Sequence, residues 1–395
     1  MKRFLLTVLS LFLVQWLSAF DWQPKPTAAL YQDMMAKARE FRSFAEGTPA
    51  GDRLSSFIRD MEYMESEKPF AWISETYKLV AELEQMYPPQ VDKGSDDFTT
   101  MVRRYTMWMV DFPVHVNDQG DMTAEERQAF DSAKHKYTAG SCKEAIKWLK
   151  RPAPEPGVLA IYKVYNMGFI FRTSERAFAI DLRWWGTAGE ARQIAKLLDV
   201  VFITHPHGDH YSLDILNAMV DAGKLCVLSK DLIPKAKSSG KLIIWDDIVD
   251  PVDVRGIKMR LFAGNQGKDV PNNIYHLEFD GWTVIHNGDN SDKPREGRYA
   301  ELSAPDIVIG ATWNRFQIIQ DAAKEAAAKD GKAMIFLPGH ENEFGHRVQQ
   351  RESYREAYDR DDRFNNPDYD YIPWMLLDLG EEYVFTKDYL KSIQK

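Results

Sequence analysis

No block of like charge, no low-complexity tract and no internal repeat of about 20 to 50 residues interrupts this chain of 395 residues. Its net charge of −9 comes from acids and bases mixed along the sequence. Without clustered lysine and arginine it lacks the electrostatic footprint that phosphate backbones need, so nucleic acid is not an expected partner. After residue 19 no stretch reaches the ~20 apolar residues of a bilayer span, so the mature chain is expected to have no stable membrane anchor. Cysteine is scarce. Cys142 and Cys226 stand far apart, and they either pair in an oxidising compartment or sit as small buried apolar side chains.

What is present is the material of an ordinary globular core: 44% hydrophobic, 12% aromatic and 28% charged residues. The length favours two structural units. Met1-Lys2-Arg3, the mostly apolar run Phe4 to Val14 and the small residue Ala19 have the three parts of a secretory signal peptide. Cleavage is expected near Ala19, which makes residues 1–19 a signal peptide and the protein exported, periplasmic or secreted. No cysteine directly follows, so a lipoprotein anchor is not expected.

Residues 20–156 read as a helical accessory region. Ile73, Tyr77, Val80, Leu83 and Met86 recur at helical spacing, as do Met101, Tyr105, Trp108 and Met109. Breaks fall at Gly47-Thr48-Pro49, at Pro88-Pro89, around Asn117 to Asp121 and in the Pro-rich Arg151 to Gly157. Trp72, Met107, Trp108 and Trp148 read as core of this helical layer. From residue 157 to 395 the pattern changes. Val158 to Val164, Gly168 to Arg172 and Ala177 to Asp181 read as an antiparallel meander. Val200 to Ile203 reads as a buried strand, followed by a helix from Leu213 capped by Ser212 and stopped at Gly223. Strands are further expected at Leu225 to Leu228, Leu242 to Trp245 and Ile257 to Phe262. Ile274 to Phe279 and Thr283 to His286 read as a hairpin turned at Asp280-Gly281. The series closes with Ile307 to Ile309, an Ala-rich helix from about Gln317 to Lys329, and a strand from Met334 to Leu337. The expected class is α/β with a sheet-rich domain and helices outside.

Three of the nine histidines fall in Thr204-His205-Pro206-His207-Gly208-Asp209-His210, directly after a buried strand. Imidazole and carboxylate are the usual ligands of zinc and related divalent ions, and a loop leaving a strand can turn several of them toward one point. Gly208 is expected to let the backbone fold tightly there. Asp289, in His286-Asn287-Gly288-Asp289, and His340, in Leu337-Pro338-Gly339-His340, likewise each end an apolar strand, where sites of α/β sheets gather. Alone, Asp289 also fits a turn residue and His340 a surface-loop histidine. His346 fits a substrate contact, a substitute ligand or a solvated side chain, and His276 and His286 fit core or supporting positions. His115 and His135 receive no role.

His-x-His-x-Asp-His, then Gly-Asp, then a strand-terminal His resembles the metallo-β-lactamase superfamily over roughly residues 157 to 350. Asp181 resembles that family's early structural aspartate. The resemblance implies a four-layer αββα sandwich with one or two divalent ions, zinc being the expected one, at one edge. It places one ion on Asp209, His210 and His340 with Asp289 bridging, and a second on His205 and His207. The further histidine of that second site belongs after the strand Ile257 to Phe262, where this chain has Ala263-Gly264-Asn265-Gln266-Gly267. Amide oxygens bind zinc poorly compared with imidazole, so the two sites are not expected to fill equally. The implied activity is hydrolysis of an ester, lactone or phosphodiester in a small-molecule or lipid-like substrate by metal-activated water, with Asp209 orienting that water. The alternative is a metal- or ligand-binding protein of the same fold with reduced or no turnover.

Overall fold

From Thr27 to Leu149 the apolar residues recur every three or four positions, and each such stretch is a helix. In a computed structural model these are α1 (Thr27–Phe44), α2 (Pro49–Met64), α3 (Ala71–Met86), α4 (Phe98–Val114) and α5 (Ala124–Leu149). The structure describes residues 25–64, 70–118, 120, 122–229, 232, 241–244, 248–267, 270–291, 304–311, 327–329, 331–364 and 373–393. The signal-peptide reading of residues 1–19 therefore lies outside the described residues, as does most of the Ala-rich stretch after Gln317. Among the described residues no helix is long and apolar enough to cross a membrane.

The chain forms two compact units: residues 1–88, 95–134 and 341–365, and residues 89–94, 135–340 and 366–395. In the first unit α4 is buried almost all round, with Val102, Thr106, Met107, Met109, Val110 and Asp111 inside. Helix α8 (Tyr354–Phe364) begins on Asp111, whose Oδ1 accepts from Tyr354 N at 2.8 Å and whose Oδ2 accepts from Arg355 N at 3.0 Å. Asn342 Nδ2 donates to Oδ1 at 3.0 Å. A carboxylate from another helix thus adds to the local cap, in which Ser353 Oγ accepts from Glu356 N at 3.1 Å, and meets two further orphan N–H groups of the first turn. Burial pushes this carboxyl up to about 7 against the pull of those donors. Nothing in the local sequence indicates that residues 341–365 join the helical unit.

The second unit is built on β1 (Leu159–Tyr165), β2 (Gly168–Arg172), β3 (Ala177–Ile180), β4 (Val200–Phe202), β5 (Leu225–Ser229), β6 (Lys241–Ile244), β7 (Ile248–Val254), β8 (Ile257–Gln266), β9 (Val270–Phe279), β10 (Trp282–His286), β11 (Ile307–Ala311), β12 (Ile335–Gly339) and β13 (Glu382–Phe385). Among the described residues they form a seven-stranded sheet, β13-β1-β2-β3-β4-β5-β6, and a six-stranded sheet, β12-β11-β10-β9-β8-β7. Both are mixed. β13 to β3 are antiparallel and β3 to β6 parallel, while β10 to β12 are parallel and β7 to β10 antiparallel.

The inner faces of the two sheets meet in one core. Phe169, Phe171, Phe178 and Phe202 of the first sheet pack with Leu261, Tyr275, Leu277 and Phe279 of the second. Phe178 meets Phe279 edge-on at 4.7 Å between ring centroids, and Phe202 meets Tyr275 at 5.3 Å. Each such side chain, taken wholly from water, stabilises by roughly 1.5–3 kcal/mol, so the register that turns them inward is strongly specified. Helices α6 (Ala188–Leu197) and α7 (Leu213–Asp221) accompany the parallel strands of the first sheet. α6 opens with a full capping box between Thr187 and Glu190.

Several local expectations are corrected. Ser212 precedes α7 but makes no side-chain capping bond. β8 runs on to Gln266, so Asn265 and Gln266 lie in a strand paired with β9 and not in a loop after it. β7 and β13 carry no clear alternation and were not anticipated; β13 is defined by pairing with β1, a contact more than 200 residues away in sequence. The hairpin turn at Asp280-Gly281 does hold, with both residues at positive φ, 47° and 80°, as a type I′ turn requires. Cys142 and Cys226 are buried and form no disulfide with each other.

Candidate metal centre

Each residue of the centre leaves the carboxyl end of a strand or a tight turn between strands. β3 ends at Ile180 and delivers Asp181, β4 delivers Thr204 to His210, β10 delivers Gly288-Asp289, and β12 delivers His340. The β1–β2 turn adds Asn166, next to a register shift between Lys163 and Tyr165. Three of these residues sit in the left-handed region that non-glycine residues rarely adopt: Asn166 at φ 53°, Asp181 at 51° and His340 at 77°. Such strain persists where the surroundings over-determine it, and it gathers at functional sites. Gly288, at φ 55°, has no room for a side chain, because a Cβ would lie 2.4 Å from Asn272 Oδ1 and 2.8 Å from Thr204. Gly208, by contrast, has open space around it and no positive φ, so the expected need for glycine at that turn is not met.

Asp209, His210, Asp289 and His340 converge, one ligand atom of each lying within 4.8 Å of the others. His210 Nε2 is 3.0 Å from Asp209 Oδ2 and 3.3 Å from Asp289 Oδ2. His340 Nε2 is 3.5 Å and 3.1 Å from the same two atoms. Ligand atoms about 2.1 Å from a tetrahedrally held ion are about 3.4 Å from one another, so these separations suit one common divalent ion.

The other ring nitrogens fix which lone pairs face inward. Asp181 Oδ2 accepts from His210 Nδ1 at 2.8 Å and from Thr204 Oγ1 at 2.6 Å, while Oδ1 accepts from Thr204 N at 2.7 Å. With its hydroxyl proton given to Asp181, Thr204 Oγ1 accepts from His205 Nδ1 at 3.0 Å. Both imidazoles are thereby held with Nε2 pointing into the site, the carboxylate–histidine arrangement of metal centres. His205 Nε2 and His210 Nε2 are buried without a hydrogen-bond partner among the described residues. Buried ring nitrogens are seldom left so unless an ion completes them.

The electrostatics agree. Burial acts to lower His210 and His340, but the carboxylates of Asp289 and Asp209 overturn it and hold both imidazoles well above their ordinary value. Burial likewise acts to raise Asp209 and Asp289, and the two imidazoles hold them well below the carboxylate range. Two negative and two positive charges thus share a buried space, and a divalent ion on neutral imidazoles supplies the same positive charge at a single point. The residues present fit the ion that the fold implies. His205 is different: burial, with His210 beside it, pushes it down to about 3, leaving a neutral ring.

His205 and His207 stand together at 4.7 Å between ring centroids, and His205 Nε2 is 3.8 Å from Asp289 Oδ2. They lie outside the four-residue cluster. Gln266 Nε2 donates to Asp289 Oδ2 at 2.8 Å. Asn265 is tied by its backbone to Asn290 Oδ1 and to Ser291. His286 is a support: its ring lies between Met167 O and Gly288 N, which steadies the turn before Asp289. His276 is buried in β9, and His346 is exposed and paired with Glu343 at 3.0 Å.

Two asparagines had no motif to announce them. Asn166 Nδ2 donates to Asp209 Oδ2 at 2.7 Å. Asn272 accepts from Asp289 N at 3.1 Å and donates to Asn287 O at 2.9 Å, shaping the loop that carries Asp289. The turn-forming Asn166-Met167-Gly168 was a weak local signal for the first; Asn272 sits in mid-strand, and its role comes from the neighbouring strand. Asp181 is the most consequential of the supports. Asp181→Asn is expected to lower metal affinity about 10- to 100-fold while leaving the circular dichroism spectrum of the fold unchanged, as read by titration of the metal-stripped protein. An unaltered affinity would remove the orienting role.

A family model described as Beta-lactamase superfamily domain matches residues 161–338, from β1 to β12. No curated protein matches the chain. Among solved structures, it is similar to Igni18, a metallo hydrolase from the hyperthermophilic archaeon Ignicoccus hospitalis, with 19% identity over 58% of this chain and 98% of that one and a TM-score of 0.42. It is similar to the metallo-beta-lactamase fold protein YhfI from Bacillus subtilis, with 9% identity, 58% and 100% coverage and a TM-score of 0.40. CmlA, a diiron beta-hydroxylase from Streptomyces venezuelae, gives 13% identity, 67% and 57% coverage and a TM-score of 0.41. With its two stacked mixed sheets and its ligands at the strand ends, the domain matched by the family model has the metallo-β-lactamase fold.

Proposed function

We propose that this chain is a metal-dependent hydrolase acting on an ester, lactone or phosphodiester of a small-molecule or lipid-like substrate. The observation that carries the reading is the convergence of Asp209, His210, Asp289 and His340, with His210 oriented from behind by Asp181. These four residues would hold one divalent ion, zinc being the expected one. When bound, the ion makes water a better nucleophile near neutral pH and polarises the oxygen under attack.

The chain's own residues divide the remaining work. Asp289, His210 and His340 have side chains at most 3% exposed, whereas Asp209 keeps 16%. Asp209 is therefore the member of the cluster that meets solvent, and its carboxylate stays ionised, so it accepts a hydrogen bond from the attacking water and aligns it. Asn166 fixes that carboxylate through Oδ2. Hydrolysis adds the elements of water across the scissile bond, one product taking hydroxyl and the other a proton, so no co-reactant is needed.

A second reading, a metal- or ligand-binding protein of the same fold with reduced turnover, draws on Gln266 standing where a further imidazole is expected. Turnover of generic ester, lactone and phosphodiester substrates by the wild type and by Asp209→Ala separates the two. The hydrolase reading expects activity in the wild type and a loss of at least about 10²-fold in the variant; equal rates in both would sink it. Export is part of the proposal and rests on residues 1–19. Amino-terminal sequencing of the mature protein from a culture fraction is expected to begin at Phe20.

A further inference from the structure

Asp289 Oδ2 is the most contested atom of the centre. It lies 3.3 Å from His210 Nε2, 3.1 Å from His340 Nε2 and 3.8 Å from His205 Nε2, and it accepts the hydrogen bond of Gln266 Nε2 at 2.8 Å. A carboxylate oxygen offers two lone-pair directions. Toward His210 and His340 one is directed at the four-ligand cluster; the other is taken by the glutamine amide.

Gln266 is held there by its backbone. β8 pairs Gln266 with Val270 of β9, and the next residue, Gly267, donates its N–H to Ser291 Oγ at 2.8 Å. Turning the amide end for end would set Oε1 against the carboxylate, acceptor against acceptor, so the donating orientation is the stable one. Gln266 Oε1 is buried without a hydrogen-bond partner among the described residues. As a neutral amide oxygen it is a poor zinc ligand compared with imidazole. A second ion beside His205 and His207 would thus find two imidazoles and an Asp289 oxygen already engaged.

We propose that Gln266 makes this a one-ion centre: by occupying the outer side of Asp289 Oδ2 it confines tight binding to Asp209, His210, Asp289 and His340, and leaves His205 and His207 a weak second position. The inference rests on reading the four-residue cluster as a metal centre.

The test is zinc titration of the metal-stripped full chain by calorimetry, with native mass spectrometry for stoichiometry. The wild type is expected to take one zinc tightly and a second at least about 10²-fold more weakly. Gln266→His, which adds an imidazole, and Gln266→Glu, which keeps the shape and adds an anionic oxygen, are each expected to bring the tight stoichiometry to two. Gln266→Ala, which frees the outer side of Asp289 Oδ2 but supplies no ligand, is expected to keep one tight zinc and to strengthen the weak second one by up to about 10-fold. Two zinc ions of similar affinity in the wild type would overturn the proposal, as would one tight zinc in both folded ligand-adding variants. Failure of the underlying metal reading has its own signature, a wild type that takes up no zinc at all, and that result ends both.

Discussion

Replacing Asp289 by alanine is expected to empty the candidate metal centre. Its Oδ2 lies within 3.3 Å of both His210 and His340 Nε2 while also receiving Gln266, so the substitution removes the shared oxygen around which the others are arranged. Asp209, with Asp181 behind His210, remains to offset the two buried imidazoles, and losing the Asp289 carboxylate makes the charged form of each less favourable. A supporting residue behind a ligand is worth about 10- to 100-fold in metal affinity; the loss of the ligand itself is expected to exceed about 10²-fold. Elemental mass spectrometry of the purified protein reads the occupancy. Thermal melts with and without added zinc read the linkage, since an ion that binds the folded state alone raises its melting temperature. The wild type is expected to shift upward with zinc and Asp289→Ala to stay where it is. Retention of zinc and of the shift in the variant would mean that the ion sits elsewhere.

Arg351→Met is expected to produce the largest loss of stability, in the helical unit. The guanidinium is wholly buried and spends its donors chiefly on three groups: Nη2 on both oxygens of Asp118 at 2.9 Å, Nη1 on Val114 O at 2.6 Å and Nε on His346 O at 2.9 Å. Methionine keeps much of the apolar stem but leaves two carbonyls and a mostly buried carboxylate with unmet demand. Breaking a buried pair from one side costs about 3–5 kcal/mol. Urea unfolding followed by tryptophan fluorescence is the measurement, with limited proteolysis between residues 341 and 353 as the local readout. A loss below about 1 kcal/mol, the scale of a solvent-exposed pair, would mean that Arg351 does not anchor this segment.

Density was the legible signal at the centre. His205, His207, Asp209 and His210 lie within six residues of each other after a run of apolar β-formers, and that arrangement carries its chemistry on its face. Asp289 and His340 were recognisable because each follows a short apolar strand at a Gly-Asp or Gly-His junction, and the structure brings both to Asp209 and His210. The parallel strands β4, β5, β11 and β12 could be read from continuous apolar runs, and the hairpin of β9 and β10 from Asp280-Gly281, because those signals are local.

What could not be read is what depends on a partner far along the chain. Asn166, Asn272 and Thr204 are ordinary polar residues until the folded chain sets them against Asp209, Asp289 and Asp181. Gln266 could be placed near the centre, but only the antiparallel pairing of β8 with β9 decides that its amide is spent on Asp289. β13 exists because β1 offers it an edge, and although Ser353 and Glu356 form a local capping box at the start of α8, only the fold sets Asp111 of α4 against the amides of Tyr354 and Arg355.

The sequence by itself determined the ingredients and their order: helices first, then two sets of strands, with imidazoles and carboxylates at strand ends, because hydrophobic period and residue chemistry are properties of short segments. The family resemblance already grouped Asp209, His210, Asp289 and His340; only the tertiary structure decided which ring nitrogens face the space they share and that residues 341–365 fold with the helices. Those outcomes follow from distances and hydrogen bonds between residues tens to hundreds of positions apart, and no local pattern encodes them.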